Sequence, residues 1–235
     1  MDARPVLTER PPRAPWMTRA GLALLAAGLF SVVAVIAVRV RGGTTPLGVD
    51  TTASRIVGSP RLGELAARAH VPAHWPRGAM GLVVGDGLPL VAAAAVIGLA
   101  AVAWSRRDIR AFAVCLLGPA LAVVMTDQVL KPLVDRRHGA GLAYPSGHAT
   151  GAAAVATLAV VLFHRWGGRR AAARLMPVAC ALPVVMGVAL VRLAFHYPTD
   201  VVGGTAMGVA TVVCVVLALD AQTEAGVPGP RPSDA

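Results

Sequence analysis

The chain has 235 residues, of which 56% are hydrophobic and only 14% are charged, and its mean hydropathy is +0.65. A soluble domain carries about a quarter of its residues as charges, so this composition argues against a soluble protein and favours a polytopic membrane protein. The net charge of +10 comes from 21 arginines and one lysine, Lys131. No basic stripe with interleaved aromatic residues is present, so the expected partner is the lipid bilayer and not a nucleic acid.

The apolar blocks of the chain predict an all-α fold with six transmembrane helices. Residues 1–19, rich in arginine and proline, predict a disordered cytoplasmic leader. The membrane domain covers residues 20–220, and residues 221–235 predict a disordered cytoplasmic tail. The predicted spans are Ala20–Val38, Leu82–Trp104, Ala111–Val129, His148–Phe163, Leu175–Val191 and Val201–Leu219.

The long loop after the first span contains a further helix signal, SPRLGELAARAHVPAHW, which begins at Ser59 and ends at Trp75. Ser59 is a suitable N-cap, and Pro60 suits the first helical position. We therefore expect a short interfacial helix in this loop. It could be either a packed surface helix or a lid over a lipid entrance.

Six spans place both chain termini on the same side of the membrane. The short loops SRRDIR and HRWGGRRAAAR are rich in arginine, so the positive-inside rule predicts that both termini are cytoplasmic. This orientation brings three polar clusters to the extracytoplasmic face of the cell membrane: DQVLKPLVDRRHG (127–139), YPSGH (144–148) and VRLAFHYPTD (191–200). Ionisable residues at a membrane are costly and by default indicate a functional site.

The first two clusters predict a site for an oxyanion. Lys131 and the neighbouring arginines supply fixed positive charge, and guanidinium groups match phosphate oxygens. Ser146 and the backbone amides at Gly147 and His148 open a helix, where unpaired N–H groups and the helix dipole favour an anion. Together these groups predict phosphate binding.

The third cluster adds groups suited to nucleophilic catalysis. His196 and Asp200 are four residues apart, and Pro198 between them predicts that a helix restarts there. A carboxylate that bonds one imidazole nitrogen leaves the other nitrogen available for attack or for base chemistry. The second histidine, His148, could protonate a leaving alkoxide.

These motifs resemble those of the type 2 phosphatidic acid phosphatase superfamily, which also includes vanadium haloperoxidases and bacterial acid phosphatases. PSGH matches at Pro145–His148, HYPTD matches at His196–Asp200, and the resemblance runs from about Asp127 to Gly204. It implies a membrane enzyme that hydrolyses a lipid phosphate or diphosphate through a phosphohistidine, without a metal or other cofactor. The implied catalytic residues are His196 as nucleophile, Asp200 as its orienting group and His148 as general acid, and the implied phosphate ligands are Lys131, Arg136, Arg137, Ser146, Gly147 and Arg192.

The sequence departs from the family pattern at two positions. The first family motif places an arginine seven residues after the lysine, where this chain has His138, so Arg136 or Arg137 must substitute. The family arginine that precedes the nucleophile by six residues is Leu190 here. Arg192, four residues before the nucleophile, would share a helical face with it.

Other functions fit parts of the same pattern. A non-catalytic relative of the family could bind or transport lipid phosphates. A zinc hydrolase could use His138, His148, His196 and Asp200, but the H-E-x-x-H spacing is missing. A serine hydrolase built on Ser146 would need G-x-S-x-G. The sequence does not choose among polyprenyl diphosphate, phosphatidic acid, phosphatidylglycerol phosphate and a prenyl-linked sugar phosphate, nor between hydrolysis and phosphoryl transfer, and it leaves the oligomeric state unknown.

Overall fold

The computed structural model describes residues 18–59, 87–139 and 141–225, and these residues are mostly helical. Two short strands, β1 (Arg137–His138) and β2 (Gly141–Leu142), pair antiparallel between the fourth and fifth helices. The helices are α1 (Arg19–Val40), α2 (Gly48–Ile56), α3 (Leu88–Ser105), α4 (Ile109–Val134), α5 (Gly147–Arg192) and α6 (Pro198–Ala225).

Five of the described helices, all except α2, are long and apolar enough to cross a membrane. The prediction of a helical, multi-pass membrane protein is therefore confirmed in this coarse form. Helices α1, α4 and α6 extend beyond the predicted apolar runs, because polar residues at their ends are helical as well. Helix α6 continues to Ala225 and so includes the first residues of the predicted tail. Residue Arg19, the last of the predicted leader, is the first residue of α1 and not disordered. The rest of the leader up to residue 17, most of the predicted interfacial helix, the start of the second span and the end of the tail lie outside the described residues.

Helix α5 has 46 residues and contains a sharp break. A straight helix of this length would be about 69 Å long, more than twice the thickness of a bilayer's hydrocarbon core. The break lies at Gly168, whose φ of +71° and ψ of −168° suit only glycine. Ala149 belongs to the same buried cluster as Leu190, so the arms 147–167 and 169–192 fold back on each other. These arms correspond to the fourth and fifth predicted spans.

Helix α6 lies at the centre of the bundle and packs against α1, α4 and α5. Its close approach to α5 depends on glycine. A Cβ atom on Gly204 would lie 3.1 Å from the Thr150 hydroxyl oxygen, and one on Gly208 would lie 2.9 Å from the Ala154 amide nitrogen. The missing side chains let the first turns of α5 and α6 lie side by side.

The polar residues of the bundle gather at its two ends. Asp200 and Asp220 both lie on α6, about 30 Å apart along the helix axis. At the Asp220 end, Arg19 donates to the Asp220 carbonyl oxygen at 2.9 Å. Arg165 pairs there with Asp108, which caps α4. The Asp200 end carries all three polar sequence clusters.

Candidate active site

The segment after α1 lies against the end of α4. The Gly42 N–H donates to the Val134 carbonyl oxygen at 2.8 Å, and the Arg137 N–H donates to the Gly43 carbonyl oxygen at 2.9 Å. Helix α2 follows this segment and contacts α6. The loop after the first helix therefore forms one wall of the Asp200 end.

Arg136 is buried and joins two buried carboxylates. Its Nη1 lies 2.6 Å from Asp200 Oδ1, and its Nη2 lies 2.8 Å from Asp50 Oδ2. Nη1 also donates to the Thr199 hydroxyl at 2.7 Å, and the guanidinium lies over the Tyr197 ring at 4.4 Å. Buried charges require partners and hydrogen bonds, and this network supplies both at the two terminal nitrogens, whereas Nε has no partner among the described residues.

Asp50 is a residue that the sequence patterns did not single out. It is fully buried in α2 and accepts hydrogen bonds from the Leu47 N–H at 2.9 Å, the Thr199 N–H at 2.8 Å and the Thr199 hydroxyl at 3.1 Å. It belongs to none of the three clusters. The one local signal in the sequence is an acidic residue in the first turn of a short helix, a position that suits a cap.

His196 lies beside Asp200, with 3.6 Å between His196 Nδ1 and Asp200 Oδ2. The same carboxylate oxygen accepts the Tyr197 N–H at 3.0 Å. The His196 side chain is 12% exposed, and its Nδ1 forms no hydrogen bond to any described residue. A separation of 3.6 Å is longer than a hydrogen bond, but catalytic hydrogen bonds are often long without substrate and shorten when it binds.

The YPSGH turn is held directly on the HYPTD turn. The Ser146 N–H donates to the Asp200 carbonyl oxygen at 3.0 Å, and the Ser146 hydroxyl caps α5 by accepting the Ala149 N–H at 3.4 Å. Gly147 is the first residue of α5, and a Cβ atom there would lie 3.1 Å from Asp127 Oδ1. The start of α5 therefore faces a carboxylate on α4.

Lys131 forms an ion pair with that carboxylate: its Nζ lies 2.6 Å from Asp127 Oδ1, and both side chains are partly exposed. Asp127 belongs to a π-helical turn, Met125–Leu130, within α4. Such turns occur frequently at functional sites. A cation, a carboxylate and a helix start therefore meet here, and the half-buried His148 is the second residue of the same helix.

The other two predicted phosphate ligands lie at the edge of this assembly. The Arg137 side chain is 55% exposed and pairs with Asp135 at 3.0 Å. Arg192 is exposed at the end of α5. Arg136 differs from both, because two carboxylates already bind its terminal nitrogens.

His138, at the position of the family arginine, packs beside the proposed nucleophile's turn. Its Nε2 lies 2.9 Å from the Ala194 carbonyl oxygen, and its ring meets the Tyr197 ring edge-on at 4.6 Å. Burial lowers the pKa of His138, the nearby His196 lowers it further, and the hydrogen bond to Ala194 opposes both effects. His138 is therefore biased toward its neutral form.

The described residues thus bring most of the predicted site to one end of the bundle, with Arg137 and Arg192 at its rim. Within that part of the chain, no three His, Cys, Asp or Glu side chains are grouped as a metal site. The residues gathered through direct contacts or adjacent positions are Lys131, Arg136, Ser146, Gly147, His148, His196 and Asp200.

Comparisons with known proteins agree with the motifs. A search of curated proteins and a search of solved structures each returned no significant match. The family model described as PAP2 superfamily matches residues 90–224, which is more than half of the chain and includes the three polar clusters. The resemblance found in the sequence is thereby confirmed: the chain belongs to the PAP2 superfamily, and this membership indicates a phosphatase.

Proposed function

We propose that this protein is an integral membrane phosphatase that hydrolyses a lipid phosphate or diphosphate through a phosphohistidine on His196. One observation carries the proposal: His196 Nδ1 lies 3.6 Å from a buried Asp200 carboxylate, directly beside the Ser146 turn that starts α5. Membership of a phosphatase family supports the same reading. A site that only bound lipid phosphate would not require a paired histidine and carboxylate.

The reaction proceeds in two steps. In the first, His196 Nε2 attacks phosphorus, a P–N bond forms, and the P–O bond to the lipid breaks. The leaving oxygen takes a proton from His148, while the Asp200 carboxylate stabilises the positive charge on the His196 ring. In the second step His148 removes a proton from water, which attacks phosphorus. The P–N bond breaks, and inorganic phosphate leaves.

The phosphate contacts follow from the charges at the site. Lys131 and the amides at the start of α5, from Gly147 onward, bind the phosphate oxygens directly. Arg137 and Arg192 are exposed and approach the phosphate from the rim. Carboxylates bind both terminal nitrogens of Arg136, so its part is to hold Asp200 in place.

We further propose six spans with the site on the extracytoplasmic face of the cell membrane. The fold-back of α5 at Gly168 supports two spans within that helix. The positive-inside rule supports the orientation, because short arginine-rich segments lie at the end opposite the site. A site at helix ends can receive an amphiphile's headgroup sideways from the bilayer, which favours a lipid substrate.

The test is phosphate release by the purified protein from a panel of lipid phosphates, including phosphatidic acid and a polyprenyl diphosphate. Release should be insensitive to chelators, inhibited by vanadate and abolished in His196→Ala and His148→Ala. The matched control is His164→Ala, about 24 Å from His148 along the same arm of α5, which should retain activity. Activity that survived His196→Ala would contradict the mechanism. A requirement for zinc would favour a metallohydrolase, and saturable binding without release would favour a non-catalytic relative.

A further inference from the structure

We propose that Asp50 is a further positioning residue of this active site, which shares Arg136 with Asp200 and so leaves a net negative charge beside His196. The inference rests on the proposed function and adds a residue to it. Asp50 lies outside the residues that match the family model and outside the three polar clusters. Its assignment depends entirely on the contacts that it makes.

The hydrogen bonds around Asp50 all run toward its carboxylate oxygens. Oδ1 accepts the Thr199 N–H, and Oδ2 accepts the Leu47 N–H, an Arg136 N–H and the Thr199 hydroxyl. Every one of these bonds places a donor against a carboxylate oxygen, which is the environment of an ionised carboxylate. Capping of α2 would need only the bond from Leu47, so the other three bonds require a different explanation.

The buried network around Arg136 contains more carboxylates than cations. Asp50, Arg136 and Asp200 all have fully buried side chains. Two carboxylates against one guanidinium leave one negative charge, whereas Arg136 paired with Asp200 alone would be neutral. Phosphoryl transfer to His196 places positive charge on its ring. A fixed negative charge in a site of low dielectric stabilises that transition state.

Helix α2 is also held against the site by apolar packing at its end. Val57, the residue after this helix, is partly buried and packs against the buried cluster of Val191, Ala194 and Tyr197, which lies around the nucleophile. Asp50 is therefore held at the site by packing as well as by hydrogen bonds. The segment after α1 supplies a group to the site from outside the catalytic motifs.

Asp50→Asn is the informative change, because it removes the charge with little change of shape. In either orientation, the NH₂ group of the new asparagine would face N–H groups that donate to a carboxylate oxygen of Asp50 in the wild type. We expect kcat to fall roughly 10- to 100-fold, the scale of one lost preorganised electrostatic contact, with KM within about threefold of wild type. The acid limb of the pH profile, the fall in activity toward low pH, should also move to lower pH, because the site loses a buried negative charge that favours protonated groups around it.

Three further variants separate charge from structure. Thr199→Val removes two hydrogen bonds of the network but none of its charges, so the acid limb should stay at the wild-type pH. Asp50→Glu keeps the charge and should also leave the limb in place, even if kcat falls. Asp220→Asn removes a carboxylate from the opposite end of α6 and should match wild type in both measurements. If Asp50→Asn does not fold, Asp50→Glu and Thr199→Val decide the question, since a shifted limb in either would overturn the proposal.

If the wild type is active, two results would refute the role of Asp50 alone. Asp50→Asn could keep the wild-type kcat, or it could lose kcat while the acid limb stays at the wild-type pH. The second result would reduce Asp50 to a structural residue. A wild type that released no phosphate from any lipid in the panel would refute the proposed function, and this inference with it. The two failures are therefore distinguishable.

Discussion

Ser146 and Asp200 are joined by a backbone hydrogen bond of 3.0 Å, in which the Ser146 N–H donates to the Asp200 carbonyl oxygen. This bond links the first turn of α5 to the first turn of α6. It fixes the proposed phosphate-binding turn relative to the carboxylate that faces His196. The geometry of the site therefore depends on how closely α5 and α6 approach each other.

The first prediction concerns that approach. A methyl group at Gly204 would clash with the Ser146 carbonyl oxygen and would lie 3.1 Å from the Thr150 hydroxyl. Gly204→Ala should therefore separate the two helix starts, reduce kcat by at least tenfold and cost roughly 1–3 kcal/mol of unfolding free energy, as overpacked sites do. Phosphate-release kinetics and thermal melting in detergent measure the two effects.

Gly151→Ala is the matched control, because its methyl group would meet no neighbouring described element within 4 Å. Replacing a helical glycine by alanine there should stabilise the protein by up to about 1 kcal/mol and preserve activity. Equal losses of activity in the two variants would contradict a specific role for the close contact at Gly204.

The second prediction concerns the ion pair between Asp127 and Lys131. In the absence of substrate, the proposed phosphate ligand Lys131 is bound by a carboxylate that also lies beside Gly147. Asp127→Asn should free the ammonium group and remove a negative charge from the anion site. The inhibition constant for vanadate should fall about 2- to 5-fold, the scale of a partly exposed ion pair.

Asp135→Asn tests whether that gain is local. It also removes a carboxylate near the site, but the Asp135 side chain is 51% exposed and pairs with Arg137. If both variants bound vanadate equally tightly, the effect would belong to the overall charge of the surface, and the competition for Lys131 would be refuted.

The sequence predicted those parts of the molecule that have a local signature. Apolar runs located the membrane helices, and the motifs PSGH and HYPTD indicated Ser146, His148, His196 and Asp200 as candidate site residues. The loop HRWGGRRAAAR was predicted between the fourth and fifth spans, and α5 breaks within it at Gly168, although the glycine itself was not singled out.

Asp50 and the burial of Arg136 could not be predicted in the same way. Asp50 meets Thr199 and Arg136 only through the tertiary fold, and no spacing rule relates residues so far apart in the chain. Two adjacent arginines also look equivalent in a sequence. Their difference arises because Arg136 points into the bundle, whereas Arg137 begins a strand and faces outward.

The third prediction concerns pH and His138. Burial lowers the pKa of His138 below the ordinary value of about 6.5 that it has in the unfolded chain. Below about pH 6.5, His138 therefore binds a proton more readily in the unfolded chain than in the folded protein. The folded state loses stability as the pH falls, until the pH passes the lower pKa that His138 has in the folded protein. Thermal melting of wild type between pH 7 and pH 5 should show this loss, and His138→Gln should reduce it. An unchanged pH dependence in His138→Gln would contradict the assignment.

The fourth prediction concerns Asp108, at the end of the bundle opposite the site. Its carboxylate accepts two hydrogen bonds from Arg165 and one from the Trp166 ring N–H, and it caps α4 through the Ala111 N–H. The hydrogen bond from Arg165 holds the pKa of Asp108 below its ordinary value, although burial opposes this. Ionised Asp108 therefore stabilises the folded protein fully above about pH 3.9, the pKa of aspartate in the unfolded chain. This stabilisation is lost as the pH falls through the lower pKa that Asp108 has in the folded protein.

Two substitutions divide the contributions of Asp108. Asparagine caps helices as well as aspartate does, so Asp108→Asn removes mainly the ion pair and should cost up to about 1 kcal/mol, the range for a solvent-screened pair. Asp108→Ala also loses the cap and should cost about 1 kcal/mol more. Both variants should keep the wild-type kcat at temperatures where they are folded, because Asp108 lies at the far end of the helices from His196. A fall in kcat without a fall in melting temperature would show that this end of the bundle controls the site.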